Sequence, residues 1–376
     1  MRVVVVGAGM GGLAAAADLA RRGCEVTVLD AAAGPGGKMR QVEVGGRGVD
    51  AGPTVFTMRW IFEALFADAG RQLEDHLEIL PSELLARHAW RAGGQLDLFA
   101  DIERSADAIA AFASPADAQG YRDFCARSAG IYRTLAEAFI ASERPSPLDL
   151  VRRVGVANLG ALWRTVPMRT LWAALGEHFR DPRLRQLFGR YATYVGSSPF
   201  RAPATLMLVA HVEQDGVWQV RGGMRAVAMA LHGLGAAQGA RFRFGTRVAE
   251  ILVAQGRASG VRLADGEVLS ADAVVFNGDA SALGQGLLGD AARPAAAATP
   301  RARRSLSAVT WCANAPTAGF ALAHHNVFFA EDYAAEFEAV FRRRRVAEAP
   351  TVYICAQDRG VAAEAPAPGE PERLLL

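Results

Sequence analysis

The chain begins with a glycine-rich turn set between a short apolar run and an alanine-rich segment. Residues 3–6 form a β-branched run of the length expected for a buried parallel strand. Gly7, Gly9 and Gly12 follow at G-x-G-x-x-G spacing, and the Ala- and Leu-rich residues after them favour a helix. A second apolar run, 26–29, completes the pattern. This order predicts a βαβ unit and therefore an α/β fold built on a parallel sheet.

The same glycines predict a ligand. Gly7 permits the tight turn, Gly9 lets backbone approach a pyrophosphate, and Gly12 lets the helix pack close to the strand. The helix N-terminus adds unpaired N–H groups and a positive dipole. Asp30 lies 18 residues after Gly12, near the spacing of an acid that binds ribose hydroxyls, and an acid there disfavours a 2′-phosphate. We expect FAD or NAD rather than NADP; the alternative is a glycine-rich turn in a non-binding α/β protein.

Composition limits the class of protein. The 376 residues suffice for two domains, and 51% hydrophobic with 21% charged residues is typical of a globular chain. With a net charge of +2, the chain has no strong overall positive potential to attract nucleic acid, so no nucleic-acid partner is expected. No apolar run reaches the roughly 18 residues of a spanning helix. The four cysteines lack C-x-x-C spacing and are expected to be reduced structural thiols of a cytosolic protein.

Two short glycine-containing segments follow the βαβ unit. The segment 34–40 predicts a flexible turn with cations beside a phosphate site, or simply a surface loop. The segment 49–56 predicts a turn that brings backbone close to a ligand, or simply a turn. Their candidate site residues are Gly36, Gly37, Lys38, Gly52, Pro53 and Thr54.

Together these motifs resemble the FAD-dependent carotenoid desaturases of the phytoene type, which share a fold with the amine oxidases. Residues 52–60 resemble the 1-hydroxycarotenoid 3,4-desaturases in particular. The resemblance implies FAD as cofactor, with Gly-Gly-Lys continuing the flavin site and Asp-x-Gly-Pro-Thr lying toward the isoalloxazine and substrate. It also implies adenine contacts from the backbone of Val248. Asn277 and Asp279 complete the implied site in an Asn-Gly-Asp sequence, where the family usually has Asn-Ala-Asp.

The resemblance implies a Rossmann-like FAD-binding domain with an inserted substrate sheet and a helical, membrane-facing lid. The expected parts are 1–80 and 216–290 for the FAD domain, 81–215 for the substrate and lid region, and 291–376 for a truncated part of the substrate sheet. The last residues, 373–376, look like the opening of a strand. Family members continue beyond that point, so we expect a fragment or a truncated gene product, with a sheet edge left open.

Local patterns predict the remaining elements. Expected helices are 61–69, 225–238 and 333–344, with further helix starts at Ser114-Pro115 and Asp181-Pro182. Expected strands are 77–80, 86–91 and 95–99 in a second sheet, then 241–244, 247–253, 258–263, 267–270, 273–276, 305–313 and 351–355.

The segment 150–194 combines apolar residues with many arginines and few acids. It predicts a basic amphipathic lid on an anionic membrane surface, or a lid whose arginines are merely solvated. Because carotenoids dissolve only in lipid, the resemblance favours a cytoplasmic protein peripherally associated with the inner membrane. The oligomeric state is not predicted.

No nucleophile triad, metal cluster or carboxylate pair with a usable spacing stands out, so the catalytic residues stay unassigned and no metal site is expected. His88 is expected to be a structural histidine. His211 and Glu213, two residues apart, do not share a helix face and are not expected to act as a pair.

The implied reaction removes two hydrogens from adjacent carbons of a polyene, with a hydride passing to the flavin. The expected substrate is a 1-hydroxy or 1-methoxy carotenoid such as hydroxyneurosporene. Alternatives within the family are phytoene desaturation and carotene isomerisation. Two alternatives come from other functional classes: amine oxidation, and an inactive truncated scaffold that binds no flavin.

Overall fold

The computed structural model describes residues 1–136, 140, 149, 152, 165, 168–297, 299–300 and 304–376. The strands are β1 (Arg2–Val6), β2 (Glu25–Leu29), β3 (Gln41–Val44), β4 (Arg47–Asp50), β5 (Ile79–Pro81), β6 (Leu84–Trp90), β7 (Gln95–Phe99), β8 (Trp218–Val220), β9 (Arg241–Arg243), β10 (Val248–Ala254), β11 (Arg257–Leu263), β12 (Val268–Ser270), β13 (Ala273–Phe276), β14 (Cys312–Ala315), β15 (His325–Phe329), β16 (Val352–Ala356) and β17 (Glu372–Leu375). The helices are α1 (Met10–Arg21), α2 (Arg59–Asp68), α3 (Ile102–Phe112), α4 (Pro115–Leu135), α5 (Leu171–His178), α6 (Pro182–Gly189), α7 (Leu208–Asp215), α8 (Met224–Ala237), α9 (Ala280–Gly284) and α10 (Tyr333–Glu338).

A parallel sheet with strand order β13-β1-β2-β9 carries the predicted βαβ unit. Val3 and Val5 face a core shared with α1 and α8, whereas Val4 faces a core shared with the β10–β12 sheet. Both faces of β1 are therefore buried, which explains why its sequence is a continuous β-branched run rather than an alternating one.

A second, six-stranded sheet has the order β14-β17-β16-β15-β6-β7. One of its faces, carrying Trp90, Val327 and Phe329, packs against the helical layer in the same core as Phe124 of α4. The strand expected at the end of the chain is confirmed as β17. It pairs with β14 on one side and β16 on the other, so the last strand itself has no open edge.

The local predictions mostly hold. Both expected helix starts are confirmed: Ser114 accepts a hydrogen bond from Asp117 N, and Asp181 accepts one from Arg183 N. Two strand predictions are wrong. β5 pairs with β8 in a separate ribbon rather than joining the second sheet, and residues 305–311 form no strand.

None of the described helices is both long and apolar enough to cross a bilayer. The four cysteines are free thiols, two of them buried. Strands of the parallel sheet come from 2–29 and 241–276, and those of the second sheet from 84–99 and 312–375. The finer domain boundaries stay a prediction.

Candidate functional site

The N-terminus of α1 forms a cradle of glycines. Gly7 has φ +105°, which an L side chain rarely adopts. The first backbone hydrogen bond of α1 runs from Leu13 N–H to Gly9 O, at 2.9 Å. A Cβ added at Gly12 would collide with Gly7 O, and one at Gly9 would lie 3.2 Å from the Asn277 side chain. Gly12 thus lets α1 begin close against β1, and the unpaired N–H groups of its first turn suit a pyrophosphate.

Asp30 stands at the end of β2 and holds this turn in place. Its Oδ2 accepts a hydrogen bond from Ala8 N at 2.7 Å, and its Oδ1 accepts one from Ala32 N at 2.8 Å. Each carboxylate oxygen keeps a further lone pair, so Asp30 can also accept a bond from a ribose hydroxyl.

The second and third glycine motifs pack directly against the first. Gly36 N donates to Ala8 O at 2.9 Å. A Cβ on Gly37 would lie 3.0 Å from Gly9 Cα, and one on Gly52 would collide with Lys38 O. Three segments that are separate in sequence therefore form one wall of backbone beside the α1 N-terminus.

Asn277 follows β13, where its N–H donates to Val6 O at 2.8 Å. Asp279 caps α9 and accepts a bond from Ser281 N at 2.8 Å. That bond is the main reason that the pKa of Asp279 is lowered, and the positive charge of Lys38 acts in the same direction. Both residues thus border the glycine cradle at the carboxyl edge of the parallel sheet.

The other predicted site residues lie farther from the cradle. Val248 is buried at the start of β10, in the same core cluster as Leu29. Pro53 is exposed. Thr54 turns toward the second sheet, where its hydroxyl lies 2.7 Å from the Tyr353 hydroxyl.

Asp50 is the acid of the Asp-x-Gly-Pro-Thr motif, but sequence reasoning did not include it among the candidate site residues. Its Oδ2 accepts a bond from Met224 N at 2.6 Å, capping α8. The Gln357 side chain bonds the backbone N–H and C=O of Asp50 at 3.0 and 2.8 Å. Asp50 is 7% exposed, and its Oδ1 has no partner among the described residues. Together with Thr54 and Gly223 it lines a cavity of about 80 Å³.

A partly buried polar cluster, also missed, lies between the second sheet and the helices. Glu213 accepts hydrogen bonds from the hydroxyls of Tyr191 and Tyr194, both at 2.7 Å. Arg190 donates to the Tyr194 hydroxyl at 3.2 Å and lies 4.0 Å from Glu213. His211 contacts the Tyr132 ring. No sequence pattern linked these positions, because they meet only across the helix junction.

His324, His325 and Cys355 carry metal-ligand atoms within 4.8 Å of one another. Burial raises the pKa of Cys355 to about 12, which keeps the thiol protonated and a poor ligand at neutral pH. His324 Nδ1 is 2.6 Å from Arg359 O, and His325 Nδ1 is 2.6 Å from the Tyr353 hydroxyl. These bonds place both Nδ1 atoms in an internal polar network.

Comparison with known proteins identifies the family of this site. The profile of the flavin containing amine oxidoreductases matches residues 10–311. The chain belongs to this family. It is 57% identical to a hydroxyneurosporene desaturase of Rubrivivax gelatinosus, over 100% of this chain and 71% of that protein. It is 47% identical to one of Cereibacter sphaeroides, over 95% of this chain and 72% of that protein. The resemblance to the carotenoid desaturases is thereby confirmed, and so is FAD as the cofactor.

Solved structures agree on the fold. An oxidoreductase from Methanosarcina mazei superimposes with a TM-score of 0.60 over 100% of this chain and 78% of its own, at 17% identity. The Rossmann-like α/β fold predicted from the sequence is therefore confirmed. The α1 N-terminus, whose first-turn N–H groups precede the Leu13–Gly9 bond and are flanked by glycines, fits the pyrophosphate of FAD.

Proposed function

We propose that this chain is a carotenoid desaturase that introduces a 3,4 double bond into a 1-hydroxy carotenoid such as hydroxyneurosporene. The observation that carries the proposal is the 57% identity to a hydroxyneurosporene desaturase over the whole of this chain. When bound, FAD supplies the hydride acceptor for the reaction. The protein supplies binding, orientation and exclusion of water.

We assign individual roles at the cofactor, supported by the geometry of the glycine cradle. The first-turn N–H groups of α1 bind the pyrophosphate, and Asp30 accepts a ribose hydroxyl. We assign Val248 to the adenine end, and Thr54, which lines the cavity beside Asp50, to the substrate side. The complete proposed set is Gly7, Gly9, Gly12, Asp30, Gly36, Gly37, Lys38, Gly52, Pro53, Thr54, Val248, Asn277 and Asp279.

A polyene offers few polar handles, so its binding rests on apolar burial. We place the polyene along the apolar part of the cavity between the second sheet and the helices, which is lined by Val55, Leu98 and Val327. Tyr194 lines the cavity at this face and is 46% exposed, next to Val195 at 54%. We place the entrance for the carotenoid there.

Peripheral contact with a membrane would deliver this substrate, and the proposed lid is the basic segment 150–194. Its Arg153 and Arg164 lie outside the described residues. Within the described part, Arg183 pairs with Asp181, whereas Arg180 is exposed. Binding to anionic vesicles, and its loss at high salt, would test this part of the proposal.

The central test combines the chain with FAD and liposomes that contain 1-hydroxyneurosporene. We expect a product that absorbs at longer wavelength, because one more C=C joins the conjugated system. FAD binding without any such product would refute the proposal. Conversion of phytoene would indicate phytoene desaturation instead, an isomer of unchanged mass would indicate carotene isomerisation, and hydrogen peroxide formed from amines would indicate amine oxidation. Absence of bound flavin in the folded chain would indicate an inactive scaffold.

A further inference from the structure

The cavity between the second sheet and the helical layer contains buried polar atoms that have no partner. Its walls include His88, His325 and Tyr353 from the sheet, and Arg190 and Glu213 from the helical side. The cavity volume is about 20 Å³, which is enough for one small polar group the size of a water molecule or a hydroxyl. Among the described residues, His88 Nε2, His325 Nε2 and Arg190 Nε make no hydrogen bond. Such groups are costly to bury alone, so the cavity is suited to a polar ligand.

His88 is a hydrogen-bond acceptor in this cavity. Its side chain is fully buried, and its Nδ1 lies 3.3 Å from Leu96 O. A carbonyl oxygen can only accept, so Nδ1 carries the proton and Nε2 presents a lone pair. Burial, with the charge of Arg190 as a second cause, lowers the pKa of His88 to about 3, and the ring stays neutral.

Arg190 supplies the complementary donor. Its other nitrogens face Tyr194 and Glu213, whereas its Nε–H has no partner within the part of the chain that the structure describes. An unpaired acceptor and an unpaired donor on the walls of one small cavity match an alcohol. Its O–H donates to the imidazole while its oxygen accepts from the guanidinium.

The cavity also lies at a suitable place along the substrate. The Tyr353 hydroxyl is 2.6 Å from His325 Nδ1 and 2.7 Å from Thr54 Oγ1. Thr54 lines the neighbouring cavity beside Asp50. In a 1-hydroxy carotenoid the hydroxyl carbon is separated from the reacting 3,4 bond by a single carbon. A hydroxyl held in this cavity would therefore place that bond close to the Thr54 side.

We propose that His88 and Arg190 bind the terminal tertiary hydroxyl of the carotenoid and so select hydroxylated over unhydroxylated substrates. This inference rests on the proposed function, because it takes a carotenoid as the ligand. The competing explanation is that the cavity holds only a structural water.

The test measures equilibrium binding in detergent micelles through quenching of tryptophan fluorescence by the carotenoid. The probes are 1-hydroxyneurosporene, 1-methoxyneurosporene and neurosporene, which has no oxygen. We expect the hydroxy compound to bind about tenfold more tightly than the other two, since only it can donate to His88. Equal affinities for the three would overturn the proposal and assign the cavity to water. This comparison uses the unmodified chain, so it does not depend on the folding of any variant.

Two variants test whether His88 causes the tighter binding of the hydroxy compound. His88→Phe, which keeps the ring beside Phe329, should weaken only the hydroxy compound and abolish the preference. His232→Phe is the matched control, because His232 contacts Phe242 and Phe244 in the parallel-sheet domain and should keep the preference. A preference that survives His88→Phe would overturn the role of His88.

Binding and turnover separate the two proposals. Tenfold tighter binding of 1-hydroxyneurosporene without desaturation would support the hydroxyl site and refute the proposed reaction. Desaturation together with equal affinities for the three carotenoids would support the reaction and refute the hydroxyl site. Failure to bind any of the three carotenoids would overturn both.

Discussion

Substitution of Gly12 by alanine should separate α1 from β1. The added Cβ would lie 2.0 Å from Gly7 O, whereas real Cβ contacts are essentially never under 3.0 Å. The obstacle is backbone, so the helix start must retreat by at least about 1 Å. Overpacking of this kind costs roughly 1–3 kcal/mol of the free energy of unfolding. The retreat also moves the N–H groups from the pyrophosphate, so FAD should bind at least about tenfold more weakly.

The control is the same substitution in another helix. Gly233→Ala lies on the exposed side of α8, where an added Cβ meets nothing within 4 Å. There alanine should raise stability by about 0.5–1 kcal/mol through helix propensity, with unchanged FAD affinity. Urea unfolding followed by circular dichroism gives the stabilities, and flavin fluorescence titration gives the affinities. Wild-type stability and FAD affinity in Gly12→Ala would refute the argument that this glycine is required for close packing.

Three further predictions concern buried polar groups. Glu372 is 1% exposed, and although burial opposes its charge, bonds from Arg359 hold its pKa below the usual value. Glu372→Gln should therefore lower the free energy of unfolding in urea by roughly 2–3 kcal/mol at pH 7, and by progressively less as the pH falls below about 4.5. An equal loss at pH 7 and at low pH would contradict this. Asp50→Ala should cost about 1–2 kcal/mol by uncapping α8 at Met224, whereas Asp50→Asn keeps an acceptor and should cost less; thermal melts compare them. The pKa of His88 falls to about 3 in the folded chain, so between pH 6.5 and pH 3 the unfolded chain takes up a proton there that the folded chain does not. The free energy of unfolding should therefore fall by about 1.4 kcal/mol per pH unit as the pH drops from 6.5 toward 3. His88→Gln should flatten this pH dependence of the measured stability.

The cofactor end of the site was accessible to sequence reasoning because its determinants are local. A β-branched run, three glycines and Asp30 lie within one βαβ unit, where spacing along the chain fixes spacing in the fold. The helix caps at Ser114 and Asp181 were predictable for the same reason, since each cap bonds a backbone N–H only two or three residues on.

The proposed substrate end could not be predicted from local sequence patterns. His88 was expected to be structural, because burial is its commonest state and its neighbours in sequence indicate nothing else. The sheet pairs it with Val327, far along the chain, and the helix junction brings Arg190 to the same cavity. Likewise β5 was assigned to the wrong sheet, because its short apolar sequence fits either partner and pairing with β8 depends on distant residues.

The sequence by itself thus determined the parallel-sheet domain and its flavin cradle, since hydrophobic period and turn chemistry act over a few residues. Only the tertiary structure decided which buried polar atoms meet without partners. That outcome depends on the pairing of β6 with β15 and on the packing of the helices against that sheet, which bring together residues more than a hundred positions apart.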